Sequence, residues 1–332
     1  MLVVILQITL VAFIAFILIN LLIKYPMSLA TPSKRGMHSN VIPSSGGLAI
    51  LGTYICVTLY PYLIHAHSLS INSPILSLTL IALLGYLDDK FRLSKAFRFF
   101  SQAIISTLLV INSYELNMFE IIFWISFLVF FINIYNFMDG IDGLATSQAI
   151  FILVSFIILE NFYSSGALIL FIIPLIIFLF YNLKPSKIFL GNAGSYMLGM
   201  LIAILLFNST YITNNIDIFN HISVALILLT IFIADSLYVL LARFIYKFRS
   251  SSNILLSLSY ITTPHNTHCY QILAKRYTNH NKVNLFLMSY NILWCLPLSI
   301  FCQFYIQYSI VFLLFSYIPY FVYCFNNNVG KE

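Results

Sequence analysis

Apolar stretches of 14 to 22 residues, the longer ones matching the roughly twenty a helix needs to cross a bilayer, recur from one end of this chain to the other. They lie near 2–23, 46–64, 73–87, 99–112, 119–137, 144–160, 166–182, 194–208, 221–242, 284–303 and 306–325. A soluble domain could not hide that much apolar surface. Of 332 residues, 61% are hydrophobic and 8% charged, against about a quarter charged in ordinary globular chains. The sequence therefore predicts an all-α, polytopic membrane helix bundle of about eleven transmembrane helices, a single integral membrane domain over 1–332. No charge precedes Lys24 and no small-residue cleavage pattern closes the first stretch, so that stretch reads as a retained helix.

The cations predict which gaps face which side. With the N-terminus outside, one set of gaps holds Lys24, Lys34 and Arg35; Lys90, Arg92, Lys95 and Arg98; Lys184 and Lys187; Arg243, Lys247, Arg249, Lys275, Arg276 and Lys282; and, at the tail, Lys331. These are all 16 lysines and arginines. The other gaps carry Glu115, Glu120, Glu160 and Asp217, with His65, His67 and His221. So complete an asymmetry is the positive-inside pattern, and it makes the C-terminus cytoplasmic. It also argues against nucleic acid as a partner, because the net charge of +6 follows from topology. The polar segments near 25–45, 88–98, 138–144, 183–194 and 243–283 all fall on the cytoplasmic face, where chemistry is expected. The five cysteines lack metal-type spacing and read as small buried hydrophobes.

Ionisable groups at the end of an apolar run are expensive and need a reason. Asn133 to Ala145 carries two Asn, two Asp and two Gly directly after such a run. Read as a helix, Asn133, Asn136, Asp139 and Asp142 form a slowly winding polar stripe, and Gly140 and Gly143 permit a tight turn or a close approach to a ligand. Upstream, Asp88 and Asp89 are adjacent carboxylates, which repel unless a cation lies beside them. The pair suits a metal and phosphate site or a carboxylate of raised pKa, and equally a solvated helix end beside Lys90 and Arg92. Lys34 and Arg35 offer cations to a phosphate or a lipid head group, or serve as a plain positive-inside anchor. Lys184 to Ser195 enters a helix through a glycine-spaced loop, whose N–H groups suit a phosphate, with a simple turn as the competing view. Asp235, inside an apolar stretch, is either functional or a packing partner. His265 and His268, three apart, either share a helix face toward a phosphate or are merely solvated. His38 and His280 are read as solvated.

In this order the segments resemble the polyprenyl-phosphate N-acetylhexosamine-1-phosphate transferases, the superfamily of the phospho-MurNAc-pentapeptide translocase. The undecaprenyl-phosphate GlcNAc-1-phosphate transferases and O-antigen-initiating enzymes form the most similar branch. The resemblance rests on Pro32 to Gly47, Asp88-Asp89 with Arg98 and Gln102, Asn133 to Ala145, Phe189 to Ser195, Asp235, and the final histidines. It implies transfer of a sugar 1-phosphate from a UDP-N-acetylhexosamine to undecaprenyl phosphate, yielding UMP and a lipid diphosphate-sugar that initiates a cell-envelope polysaccharide. It further implies Mg²⁺, with Mn²⁺ as its substitute, a bacterial inner membrane, a cytoplasmic site and a homodimer. By the same resemblance Asp88, Asp89, Asp139, Asp142, His265 and His268 are catalytic, one of the first two acting on the acceptor phosphate. Lys34, Arg35, Arg98, Asn133, Asn136, Lys187, Phe189 and Gly194 would bind substrate, with Phe189 stacking on uracil, and Asn192 and Asp139 would hold the metal. Two positions depart from the pattern. Asn192 stands where the family usually has Asp, which implies weaker metal binding, and Asn192→Asp is expected to hold or raise activity. The histidine motif is reduced to His265 and His268, as suits the O-antigen-type branch. The alternatives are a non-catalytic homologue that binds the substrates, and a secondary transporter, which would place its acids near the bilayer midplane.

Overall fold

The computed structural model describes residues 2–32, 40–65, 73–113, 115–159, 165–212, 218–261, 263 and 265–330. Lys34, Arg35 and His38 lie outside them. A helix occupies each of the eleven apolar stretches. Five described segments, 5–24, 118–137, 191–208, 280–304 and 306–326, are long and apolar enough to cross a membrane, and a sixth joins them if a bent helix pair counts as one span. The protein is thus a helical membrane bundle. The chain divides into two compact units, 1–32 with 39–208, and 33–38 with 209–332.

In the first unit, α1 (Leu2–Lys24), α2 (Gly46–His65) and α7 (Ser165–Asn182) pack on one another. Tyr54 stacks on Phe171 at 3.8 Å between ring centroids. α3 (Ser73–Phe91), α4 (Lys95–Ile111) and α5 (Met118–Phe137) follow as neighbours in series, and α6 (Leu144–Leu159) lies on α7. Local chemistry sets the helix starts. Ser94 accepts from the N–H of Phe97 at the head of α4, and Asn117 with Glu120 forms a reciprocal capping box at the head of α5. α8 (Gly191–Ile212) is the core: from Ala193 to Phe207 every described residue but Leu205 is buried. A helix apolar on all sides belongs at the centre of a bundle. A two-stranded antiparallel hairpin, β1 (Leu29–Ala30) with β2 (Ile42–Pro43), pairs Leu29 with Pro43 and leads into α2.

The second unit holds α9 (Ile218–Leu228), α10 (Thr230–Ser251), α11 (Ile254–Ile261), α12 (Cys269–Tyr277), α13 (His280–Tyr290), α14 (Leu296–Phe304) and α15 (Ser309–Asn326). The expected ninth span is in fact two helices, α9 and α10, bent by 78° at Leu229. Thr230 donates to the carbonyl of Ile227 and bonds Ser316 on α15, which gives the break polar partners inside an apolar core. The expected tenth span contains a π turn, Asn291–Cys295, directly before Pro297. A proline ring would collide with the carbonyl four residues back, and a widened turn removes the clash. Arg243, fully buried, donates to the carbonyl of Tyr260 and to Thr263, and lies 4.4 Å from the Tyr260 ring centre. It fastens α11 to α10.

Candidate active site

Glycines bring three backbones of the first unit together. A Cβ on Gly85 of α3 would fall 2.3 Å from the carbonyl oxygen of Asn192, and one on Gly47 of α2 would fall 2.1 Å from the nitrogen of Gly194. No side chain fits there, so α2 and α3 press directly on the start of α8. Gly194 therefore serves packing, and it is buried. Gly191, at φ +71°, takes the left-handed turn into α8. This contact delivers Asp88 and Asp89 to the N-terminus of α8, where free N–H groups favour negative charge.

The two carboxylates meet different surroundings. Asp88 is buried and saturated with donors: the N–H of Leu93 at 3.0 Å, Arg98 Nη1 at 3.0 Å, Asn192 Nδ2 at 2.9 Å and the Tyr196 hydroxyl at 2.8 Å. Asp89 accepts from the N–H of Asn192 at 2.9 Å. Burial pushes its pKa up to about 7, the charge of Asp88 adds to the rise, and the N–H groups of Asn192 and Ala193 oppose it. Asp139 is pushed up to about 8, by burial first and then by the charges of Asp89 and Asp142. Asp139 thus feels both Asp142 of its own loop and Asp89 of α3, far back in the chain.

The polar stripe is not one helix. α5 ends at Phe137 with Met138 as its cap, and Asp139 to Gly143 form a loop before α6. Gly143 at φ +81° makes the turn possible. Asn136 donates to Asn192 Oδ1 at 2.8 Å and to Ser195 at 3.0 Å. Asn133 points elsewhere, to Gln102 of α4 at 2.7 Å. Asn192 therefore bridges Asn136 and Asp88 through both ends of its amide. Phe189 is held by its backbone, donating to Pro43 at 2.7 Å and accepting from Gly46 at 3.0 Å, with its ring half-exposed. Lys187 is exposed, and its ammonium lies 5.8 Å from the ring centre of Tyr181.

Two contributors escape a reading of the sequence. Tyr196 binds Asp88 from inside a span, and Asn182, 4% exposed, accepts from the N–H of Gly143 at 3.0 Å while donating to the carbonyl of Ile188 at 3.0 Å. An Asn closing an otherwise apolar stretch was the available signal for the second.

Among the described residues no three His, Cys, Asp or Glu side chains converge as a ready metal cage. Mg²⁺ does not require one, since it is commonly held by one or two carboxylates with water and substrate phosphates. A carboxylate whose proton affinity is raised by neighbouring charges, as that of Asp139 is by Asp89 and Asp142, is one a divalent cation would relieve. Asp139, with Asp142 in the same loop, fits such an ion. Asn192 fits less well, because its Oδ1 already accepts from Asn136.

In the second unit His265 and His268 do not share a helix face; they precede α12, with His268 as its N-cap. Their rings stack at 4.9 Å. Asp235 is buried and accepts from Nδ1 of His268 at 2.9 Å, so the packing and functional readings of Asp235 converge on one histidine.

Residues 71–210 match the family described as glycosyl transferase family 4. A Bacillus subtilis protein named "Probable undecaprenyl-phosphate N-acetylglucosaminyl 1-phosphate transferase" is 28% identical over 240 residues, which span 65% of this chain and 64% of that protein. The phospho-N-acetylmuramoyl-pentapeptide-transferase of Dictyoglomus turgidum is 30% identical over 280 residues, 75% of this chain and 85% of that one. The enzyme of the same name from Staphylococcus epidermidis is 27% identical over 278 residues, 70% and 82% respectively.

Proposed function

From the premise that this chain belongs to glycosyl transferase family 4, we propose that it transfers an N-acetylhexosamine 1-phosphate from a UDP-sugar to undecaprenyl phosphate. The products are UMP and a lipid diphosphate-sugar that initiates a cell-envelope polysaccharide, such as O-antigen, at the cytoplasmic face of a bacterial inner membrane. The observation that carries the reading is the division of labour between Asp88 and Asp89. Asp88, saturated by four donors, is an anchor that fixes Arg98, Asn192 and Tyr196. Asp89, with a pKa near 7, matches a phosphate monoester, whose second pKa is about 6. It takes the acceptor's proton. The freed acceptor oxygen attacks the sugar-bearing phosphorus, the bond from that phosphorus to the bridging oxygen breaks, and UMP leaves with the electron pair. Catalysis of this kind is mostly positioning and charge stabilisation.

Asp139, with Asp142, would hold Mg²⁺, which when bound would supply positive charge to the diphosphate, and Asp89 is left to act as the base. Phe189, fixed by its backbone, offers a ring face to uracil. All four carboxylates named from the sequence remain in place, which favours catalysis over binding alone. The test is UMP release by the purified protein with Mg²⁺, undecaprenyl phosphate and a panel of UDP-N-acetylhexosamines. Release from at least one donor is expected, together with a fall of about 10²- to 10⁴-fold in kcat for Asp89→Asn. Silence across the whole panel would refute the transfer.

A further inference from the structure

The Asp235–His268 pair has no part in the transfer as described so far. Asp235 has no exposed surface, and a buried carboxylate must be met by donors. Four meet it. Nδ1 of His268 at 2.9 Å and the N–H of Cys269 at 3.1 Å reach Oδ1, while the N–H of Tyr270 at 3.2 Å and the hydroxyl of Tyr320 at 3.0 Å reach Oδ2. A carboxylate only accepts, so Nδ1 of His268 carries a hydrogen. The ring is also clamped from its faces, 4.9 Å from the His265 ring and 5.6 Å from that of Tyr270. The two amides that bind Asp235 belong to the residues directly after His268, which fixes the base of the imidazole against the same carboxylate. Flipping the ring to exchange its edges would keep it between these neighbours but break the bond to Asp235.

We propose that Asp235 is a positioning residue: it commits Nδ1 of His268 and thereby makes Nε2 the atom offered to a phosphate group of the substrates. This rests on the transfer reading above. The bond to Asp235 orients the imidazole and selects its tautomer. The competing role for Asp235 is structural, as the buried cap of α12.

Two measurements separate these. In wild-type protein with ¹⁵N-labelled histidine, assigned through the loss of one signal in His268→Gln, the neutral His268 should carry its hydrogen on Nδ1. A hydrogen on Nε2 would overturn the proposal, and this holds even if Asp235 variants fail to fold or no donor releases UMP. In kinetics, Asp235→Asn should lower kcat by about a hundredfold. In a His268→Gln background the same change should cost nothing further, because its effect passes through the imidazole. A second hundredfold loss in the double variant would mean that Asp235 acts through the fold alone.

Discussion

At the scale of single residues, the adjacent pair Asp88-Asp89 was legible as a source of repulsion, but the partition between them was not. Asn192 and Tyr196, which bind Asp88, lie more than a hundred residues further along the chain. The same distance hid what Asn192 does. Its Nδ2 donates to Asp88 at 2.9 Å, so Asn192→Asp exchanges a donor for a second carboxylate against the first. The sequence argued that this change would hold or raise activity; the geometry argues for a cost. Without Mg²⁺ the variant should be less stable by about 1–3 kcal/mol, read as a lower melting temperature in chelator. Asp89 and Asp139 make a separate prediction. Their folded pKa values, about 7 and about 8, lie above the unfolded carboxylate value of roughly 4, so the folded protein holds their protons more tightly than the unfolded chain does. Stability of the metal-free protein is therefore full below about pH 4 as far as these groups are concerned, and is lost as pH rises to 8. Melting in chelator should be lower at pH 8.5 than at pH 5.5, with the gain from added Mg²⁺ larger at the higher pH.

At the scale of elements, run length and hydropathy were enough to locate the helices, because a bilayer demands long apolar stretches whatever their partners. The interruptions were harder to see. No proline or glycine marks Leu229, where α9 and α10 part by 78°; the break depends on Thr230 finding Ile227 and Ser316, a tertiary event. The end of α5 at Phe137 was likewise overridden by a helical reading of residues spaced by three. Glycine contacts give the element-scale prediction. In Gly85→Ala the new methyl would meet the backbone of Asn192 and Ala193 at 2.3 to 2.6 Å, and backbone does not step aside cheaply. The start of α8 should shift off Asp89, with about 1–3 kcal/mol lost in stability and UMP release falling more steeply than the melting temperature implies. Unchanged turnover would show that this contact is slack.

At the scale of the whole molecule, fold class was readable from composition alone, whereas the division into two compact units was not, since no linker or change in composition marks it. Topology still rests on the distribution of 16 cations. Reporter fusions or cysteine labelling should place residues 92–95 and 184–187 on the cytoplasmic side and 115–117 outside; the reverse for any one of them would remove a span from the count of eleven. Within the first unit, one small side chain has a mechanical consequence. Asn182 grips Gly143 with its oxygen and Ile188 with its nitrogen, so the loop bearing Asp139 and Asp142 and the loop bearing Lys187 and Phe189 share a single rivet. On the proposed function, a nucleotide that displaced one would drag the other, and a base arriving at Phe189 would be felt as tension at the carboxylates.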